Sequence, residues 1–258
     1  MKLADLMKDK KYYPTILLYG PLGTGKTAFI TQAGEDGLIL DFDRGLKTGI
    51  GMKDQFSDKR RVVDIAVTSD GEDFYEDDQT KATKWPKAQS YIQNLSNKCR
   101  QDPSACPRIA CIDTFTGLVK TCRANIQKRS GKVGKPMEIQ DWGLMFIEIE
   151  HFLNTFRSLP CVKIVTGHDM TLEDKQGNLL GRRLLCPGKK LPTDVAGFFD
   201  DVFYAIKKKK GPKVEYILTS NTVSAEVRTR TNYKDDFNMD DGLNEFLKCL
   251  DYVDGMTL

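Results

Sequence analysis

The chain has 258 residues, 40% hydrophobic and 29% charged, with 39 lysines and arginines against 36 aspartates and glutamates for a net charge of +3. That is the balance of a soluble globular protein long enough for one large α/β domain, and no apolar run nears the roughly 20 residues of a membrane-spanning helix. So small a net charge leaves nucleic-acid binding to be decided by local clustering. The start, Met1-Lys2-Leu3-Ala4-Asp5-Leu6, lacks the apolar core of a secretory signal, and a cytoplasmic location is expected. Seven cysteines form no C-x-x-C pair. Cys111 and Cys161 sit in or at apolar strand candidates and read as buried thiols, and the spacing of Cys99, Cys106, Cys111 and Cys122 fits no common zinc pattern.

A basic and aromatic lead-in over 8–13 ends at Pro14, and the first strand candidate is Ile16-Leu17-Leu18-Tyr19. Then comes Gly20-Pro21-Leu22-Gly23-Thr24-Gly25-Lys26-Thr27, which has the spacing G-x-x-x-x-G-K-T, and a helix-compatible stretch over 28–33. Strand, glycine-rich loop and helix in that order form the phosphate-binding P-loop. The glycines let successive N–H groups turn onto one anion, and the helix start adds its dipole. The candidate nucleotide-binding residues are therefore Gly20, Pro21, Leu22, Gly23, Thr24, Gly25, Lys26, Thr27 and Ala28, with Lys26 directed at the β- and γ-phosphates and Thr27 at Mg²⁺.

A second strand candidate, Leu38-Ile39-Leu40-Asp41-Phe42-Asp43, ends in acids, and a third covers 61–67. Residues 69–80 are acidic and read as a solvated loop, and 85–100 has helical spacing. Ile109-Ala110-Cys111-Ile112-Asp113 has the pattern of a central parallel strand, with a helix expected over 115–129. After a lysine- and glycine-rich loop over 130–136, the segment 142–156 places Trp142, Met145, Ile149, Phe152 and Phe156 on one helical face. The strand candidate 161–167 ends at His168. Beyond it the pattern changes to two hairpins, 170–185 and 202–219, the second with its lysine-rich stretch assigned to the turn. A further strand over 223–230 and a terminal helix over 240–250 are expected. The fold class that follows is α/β, a mainly parallel sheet flanked by helices, with antiparallel hairpins added at one edge in the C-terminal third.

A P-loop needs a second magnesium anchor on a nearby strand end, and Asp113 fits best; capping of the next helix is the bland alternative. ATPases of the AAA+ type resemble this P-loop but usually carry glutamate after that aspartate, where this chain has Thr114. The base for hydrolysis must therefore come from elsewhere.

On Gly20 to Thr27, Leu40-Asp41-Phe42-Asp43, Ile112-Asp113-Thr114-Phe115, Gln140-Asp141-Trp142-Gly143, Val165-Thr166-Gly167-His168 and Phe199-Asp200-Asp201-Val202, the chain resembles RecA-like ATPases. It is most similar to the small phage RecA-like ATPases of single-strand annealing and recombination. The resemblance implies a catalytic acid at Asp43, in place of the family's glutamate, with Asp41 or simple capping as alternatives. It implies a γ-phosphate sensor at His168, and Arg228 and Arg230 as cations that act across a subunit interface. It also implies single-stranded DNA contacts from two basic loops, carried by Lys132 and Lys135 in one and by Arg182, Arg183, Lys189 and Lys190 in the other. Neither loop has an aromatic side chain on which bases would stack.

The reading that results is a single RecA-like domain over 1–258, with a hairpin excursion at 170–191 and antiparallel edge strands over 201–230. ATP and Mg²⁺ are its expected cofactors. Its expected partners are single-stranded DNA, further copies of itself in a ring or filament, and a single-strand binding protein, with no membrane. Two rivals remain, a nucleotide-gated assembly or motor protein that does not bind DNA and a P-loop kinase with Arg182 and Arg183 in its lid.

Overall fold

Strands covered by helices on both faces read as continuous apolar runs, and β1 (Thr15–Tyr19), β2 (Gly37–Asp41), β4 (Ile109–Asp113) and β5 (Val162–Gly167) are buried from end to end. With the three-residue β3 (Asp64–Ala66) they belong to one sheet in a computed structural model that describes residues 13–33, 37–45, 64–66, 73–187, 190–231, 233, 235–250, 252–253 and 256–257. The remaining strands are β6 (Asp169–Glu173), β7 (Leu179–Leu184), β8 (Asp201–Lys210), β9 (Lys213–Thr219), β10 (Phe237–Asn238) and the short pair β11 (Tyr252–Val253) and β12 (Met256–Thr257). The main sheet has eight strands in the order β10-β9-β8-β1-β5-β4-β2-β3. From β8 to β3 all neighbours are parallel; β9 and β10 add on antiparallel. The α/β class and the antiparallel edge expected from the sequence are both present.

The helices are α1 (Lys26–Ile30), α2 (Lys84–Gln101), α3 (Phe115–Arg129), α4 (Ile139–Arg157), α5 (Lys190–Ala196) and α6 (Leu243–Cys249). Strand alternation divides the core between the two faces of the sheet. Leu17, Leu40, Ala110, Ile112 and Val165 pack with Trp85, Leu118, Met145 and Phe152 of α2, α3 and α4. Ile16, Leu18, Ile39, Cys111 and Ile164 face the other way, onto Phe29 of α1 and Phe246 of α6. Phe152 is at the centre of the first layer, its ring 5.3 Å from Trp85 and 6.2 Å from Phe42. All seven cysteines are free thiols, and Cys111 and Cys161 are buried. No described helix is long and apolar enough to cross a membrane.

The structure corrects three expectations. The P-loop helix is short: α1 gives way at Thr31 to a 3-10 turn through Ala33. Lys207 to Lys210 do not form a turn; they continue β8, whose register with β9 runs to Lys210↔Lys213 around Gly211 and Pro212. The long, exposed side chains at the end of the hairpin are compatible with an edge strand. The stretch 223–230 is not a strand either: Arg228 makes a single bridge to Val202, and the Glu226 N–H donates to Arg182 O at 2.9 Å. Of the candidate strand 61–67, residues 61–63 and 67 lie outside the described residues.

Parallel strands bring their C-terminal ends to one edge of the sheet. Because β5 lies between β1 and β4, the residue after β5 sits between the P-loop and Asp113. That residue is His168.

Candidate active site

The P-loop bends where only glycine fits. Gly23 and Gly25 have φ of 71° and 82°, and a Cβ on Gly20 would lie 2.4 Å from the Ala205 carbonyl oxygen. Lys26, 6% exposed, turns its ammonium back into the loop, where it donates to Gly20 O at 2.9 Å, Pro21 O at 2.8 Å and Thr24 Oγ1 at 2.9 Å. Burial lowers its pKa to about 8, while Asp113 and Asp169 pull the other way. Residues 22–28 line a cavity of about 380 Å³, and Gly20 and Pro21 stand behind it as the lysine's acceptors.

Asp113 ends β4 fully buried and accepts hydrogen bonds from two hydroxyls, Thr27 Oγ1 at 2.9 Å and Thr166 Oγ1. Burial pushes its carboxyl up to about 6 against those bonds, and the charges of Asp41 and Asp43 add to the rise. The peptide to Thr114 is cis. Thr114 itself caps α3, its Oγ1 accepting the Gly117 N–H at 3.0 Å. Beside this lies Asp43, two residues beyond the end of β2. Its Oδ2 is 3.1 Å from His168 Nε2, and that hydrogen bond holds Asp43 below the usual carboxylate range although burial opposes it. Asp41 does not line the cavity; it accepts the Asp43 N–H at 2.9 Å and so shapes the turn that presents Asp43. The other ring nitrogen of the histidine, Nδ1, is buried with no hydrogen-bond partner.

Lys26, Thr27, Asp43, Asp113 and His168, chosen from four separate stretches of sequence, thus line one cavity. A family model described as "AAA domain" matches residues 13–231. The chain belongs to the AAA domain family. Among solved structures, this AAA domain is similar to a KaiC-like protein of the hyperthermophilic archaeon Pyrococcus horikoshii OT3, at 14% identity and a TM-score of 0.41 over 87% of this chain and 84% of that one. It is also similar to an ATPase from the type III secretion system of pathogenic bacteria, at 13% identity and a TM-score of 0.46 over 76% of this chain and 52% of that one. No curated protein matches it.

The opposite wall of the AAA domain's cavity comes from residues that sequence reasoning missed. Tyr216 of β9 stands with its ring 3.4 Å from where a Cβ on Gly25 would be; Met239 lies just beyond it, and Asp240 also lines the cavity. Lys207 Nζ is 5.5 Å from the Tyr216 ring centroid, the two residues being register partners across the β8–β9 hairpin. Composition alone gives no signal for this wall, because it depends on a hairpin that overshoots β1.

The remaining candidates fall elsewhere. Arg230 pairs with Asp200 Oδ1 at 2.6 Å, and Asp200 Oδ2 in turn accepts the Thr15 N–H at 2.8 Å. This holds Arg230 at the start of β1, roughly 13 Å down the strand from the P-loop at about 3.3 Å per residue. Arg228 is exposed, and neither arginine lines the cavity. Of the loop cations, Lys132 is held by Glu138 and Asp141, each at 3.0 Å. Arg182 is held by Asp169 at 2.8 Å, and Asp169 also accepts from the Tyr204 hydroxyl. Both of these cations are thus engaged by acids within the chain. Arg183 has a buried Nε with no partner, and Lys135 is exposed. Lys190 opens α5, and Lys189 lies outside the described residues.

Proposed function

We propose that this AAA domain binds ATP with Mg²⁺, hydrolyses it, and uses the cycle on single-stranded DNA in recombination, annealing or replication, as the small phage RecA-like ATPases do. The observation that carries the nucleotide part is the convergence of Lys26, Thr27, Asp43, Asp113 and His168 on one cavity. The triphosphate exchanges its oxygens for the carbonyls that now hold Lys26, and Tyr216 and Met239 offer the base an apolar wall. Thr27 and Asp113 would hold the Mg²⁺: a hydroxyl and a carboxylate oxygen, 2.9 Å apart, are the hard donors this ion takes. The bound ion neutralises charge on the phosphate oxygens.

Asp43 is the general base. It accepts a proton from water as the water oxygen bonds to the γ-phosphorus and the bond to the bridging oxygen breaks, leaving ADP and phosphate. The bond from His168 keeps Asp43 ionised but also occupies it. When His168 turns to the γ-phosphate it releases the base, so that nucleotide and base are linked by one side chain. Phosphate release tests this reading: it should require Mg²⁺ and fall about 10²–10³-fold in Lys26→Ala, and no release from the wild type above background, with or without single strands, would sink it.

Self-assembly into a ring or filament is supported by the apolar side chains that α4 leaves outside, Ile139 at 90% and Ile147 at 64% exposure. Arg228 is the cation available to a neighbour. Mixing Lys26→Ala subunits with Arg228→Ala subunits should restore activity, and failure to do so counts against action across an interface. If labelled single strands do not bind at low salt, the nucleotide-gated assembly without DNA is the reading that remains.

A further inference from the structure

The AAA domain has a second cavity, of about 620 Å³, that the nucleotide chemistry does not use. Phe42 lines it, whereas the next residue, Asp43, lines the nucleotide cavity. One face of α3 forms its floor, at the three- and four-residue spacing of a helix, and the loops around 75–79 and 134–136 form its sides. Its chemistry is two-part. Phe42, Ala124 and Pro136 are apolar, and Tyr75 brings the aromatic ring that the two basic loops lack. Lys120, Arg123 and Lys135 supply positive charge, and among the described residues none of the three has an ion pair or side-chain hydrogen bond. The neighbouring acids, by contrast, are engaged: Asp73 and Asp77 by Arg44 at 3.0 Å each, and Glu76 by the Lys84 N–H at 2.9 Å.

We propose that this cleft takes a nucleotide unit of a single strand, its base against Tyr75 and the apolar floor and its phosphates among Lys120, Arg123 and Lys135, and that occupancy is reported to Asp43. The proposal rests on the nucleic-acid part of the function above and assigns it a place. An apolar slot with a cationic rim is what a stacked base with a charged backbone requires, independent of sequence. The report to Asp43 has two short routes. Phe42 is wedged, its carbonyl oxygen 2.4 Å from where a Cβ on Gly117 would be and its ring stacked on Phe74 at 5.5 Å, so a base pressing on it moves the turn that carries Asp43. Arg44, on the other side of Asp43, has its guanidinium carbon 4.8 Å from the centroid of the Tyr75 ring. Lys120, whose charge reaches Asp43, is the rim cation nearest that turn in effect.

The test is anisotropy of a labelled oligothymidylate with Mg²⁺ and a non-hydrolysable ATP analogue, together with the ratio of ATP hydrolysis with and without strand. Arg123→Glu combined with Lys135→Glu should weaken strand binding at least tenfold, flatten its salt dependence and bring the hydrolysis ratio to one. Tyr75→Ser should weaken binding about tenfold while Tyr75→Phe retains it. Lys132→Ala, whose lysine is tied to two acids, should bind strand like the wild type. Unchanged melting temperatures confirm that these surface variants fold. Wild-type affinity in the double charge reversal would overturn the cleft assignment alone, and no strand binding by the wild type would overturn it together with the nucleic-acid reading. Binding of dTMP without the strand would overturn the strand as occupant.

Discussion

The two cavities of this domain hold their charges in opposite ways. In the nucleotide cavity the groups given a chemical role are tied inward: Lys26 to backbone oxygens, Asp113 to two hydroxyls, Asp43 to His168. In the cleft behind Phe42, Lys120, Arg123 and Lys135 have no ion pair or side-chain hydrogen bond among the described residues. The difference follows from burial. A charge withdrawn from water must be satisfied by neighbours, and those neighbours then determine its geometry and its pKa; a charge left in water needs none and keeps its reach. The first arrangement suits chemistry on one small set of atoms, and the second suits a long, adaptable polyanion.

The largest effect that would break this comparison comes from Lys26→Ala. Removing the preorganised cation should cost hydrolysis about 10²–10³-fold, and a loss below tenfold in phosphate release would show that the tied cavity is not where charge develops. Next is non-additivity. Asp43→Asn and His168→Ala act on one hydrogen bond, so the double variant should lose scarcely more activity than the worse single one, whereas Arg123→Ala and Lys135→Ala should lose strand affinity additively. Additive losses at the first pair would dissolve the distinction.

The pH dependence comes third. Asp113, with a pKa raised to about 6, is protonated below that pH and loses its hold on the cation; Lys26, lowered to about 8, is neutral above that pH and loses the phosphate. Nucleotide affinity in the presence of Mg²⁺ should therefore peak between pH 6 and pH 8 and fall about tenfold per unit outside that window, while strand affinity, resting on untied cations, should stay flat across it. A titration with fluorescent ATP and labelled strand compares both. The smallest effect is Tyr216→Ala, which should raise the dissociation constant for ATP by several-fold and leave that for inorganic tripolyphosphate unchanged.

What the sequence revealed follows the same division. The P-loop, Asp113, Asp43 and His168 were legible because each is a local signal, a motif or an acid or histidine directly after an apolar run, and parallel strands bring such ends together. The helix over 115–129 was legible to the residue. The ties of the charged loops were not legible, since Lys132 and Arg182 look free until their partners Asp141 and Asp169, nine and thirteen residues away, fold onto them. Tyr216 and Tyr75 were invisible as site residues for a related reason: one reaches the P-loop through the register of an edge hairpin, the other joins α3 from a loop that reads as merely acidic. Long-range placement of exposed side chains leaves no periodic mark.

The central claim is that Asp43, released by His168, is the base of an ATPase. Phosphate release by Asp43→Asn under saturating Mg²⁺ and ATP tests it most directly, alongside fluorescent-ATP binding to the same variant. The account predicts that binding stays within a few-fold of the wild type while turnover falls by about 10²–10⁴-fold. Turnover at the wild-type rate with binding intact would contradict it.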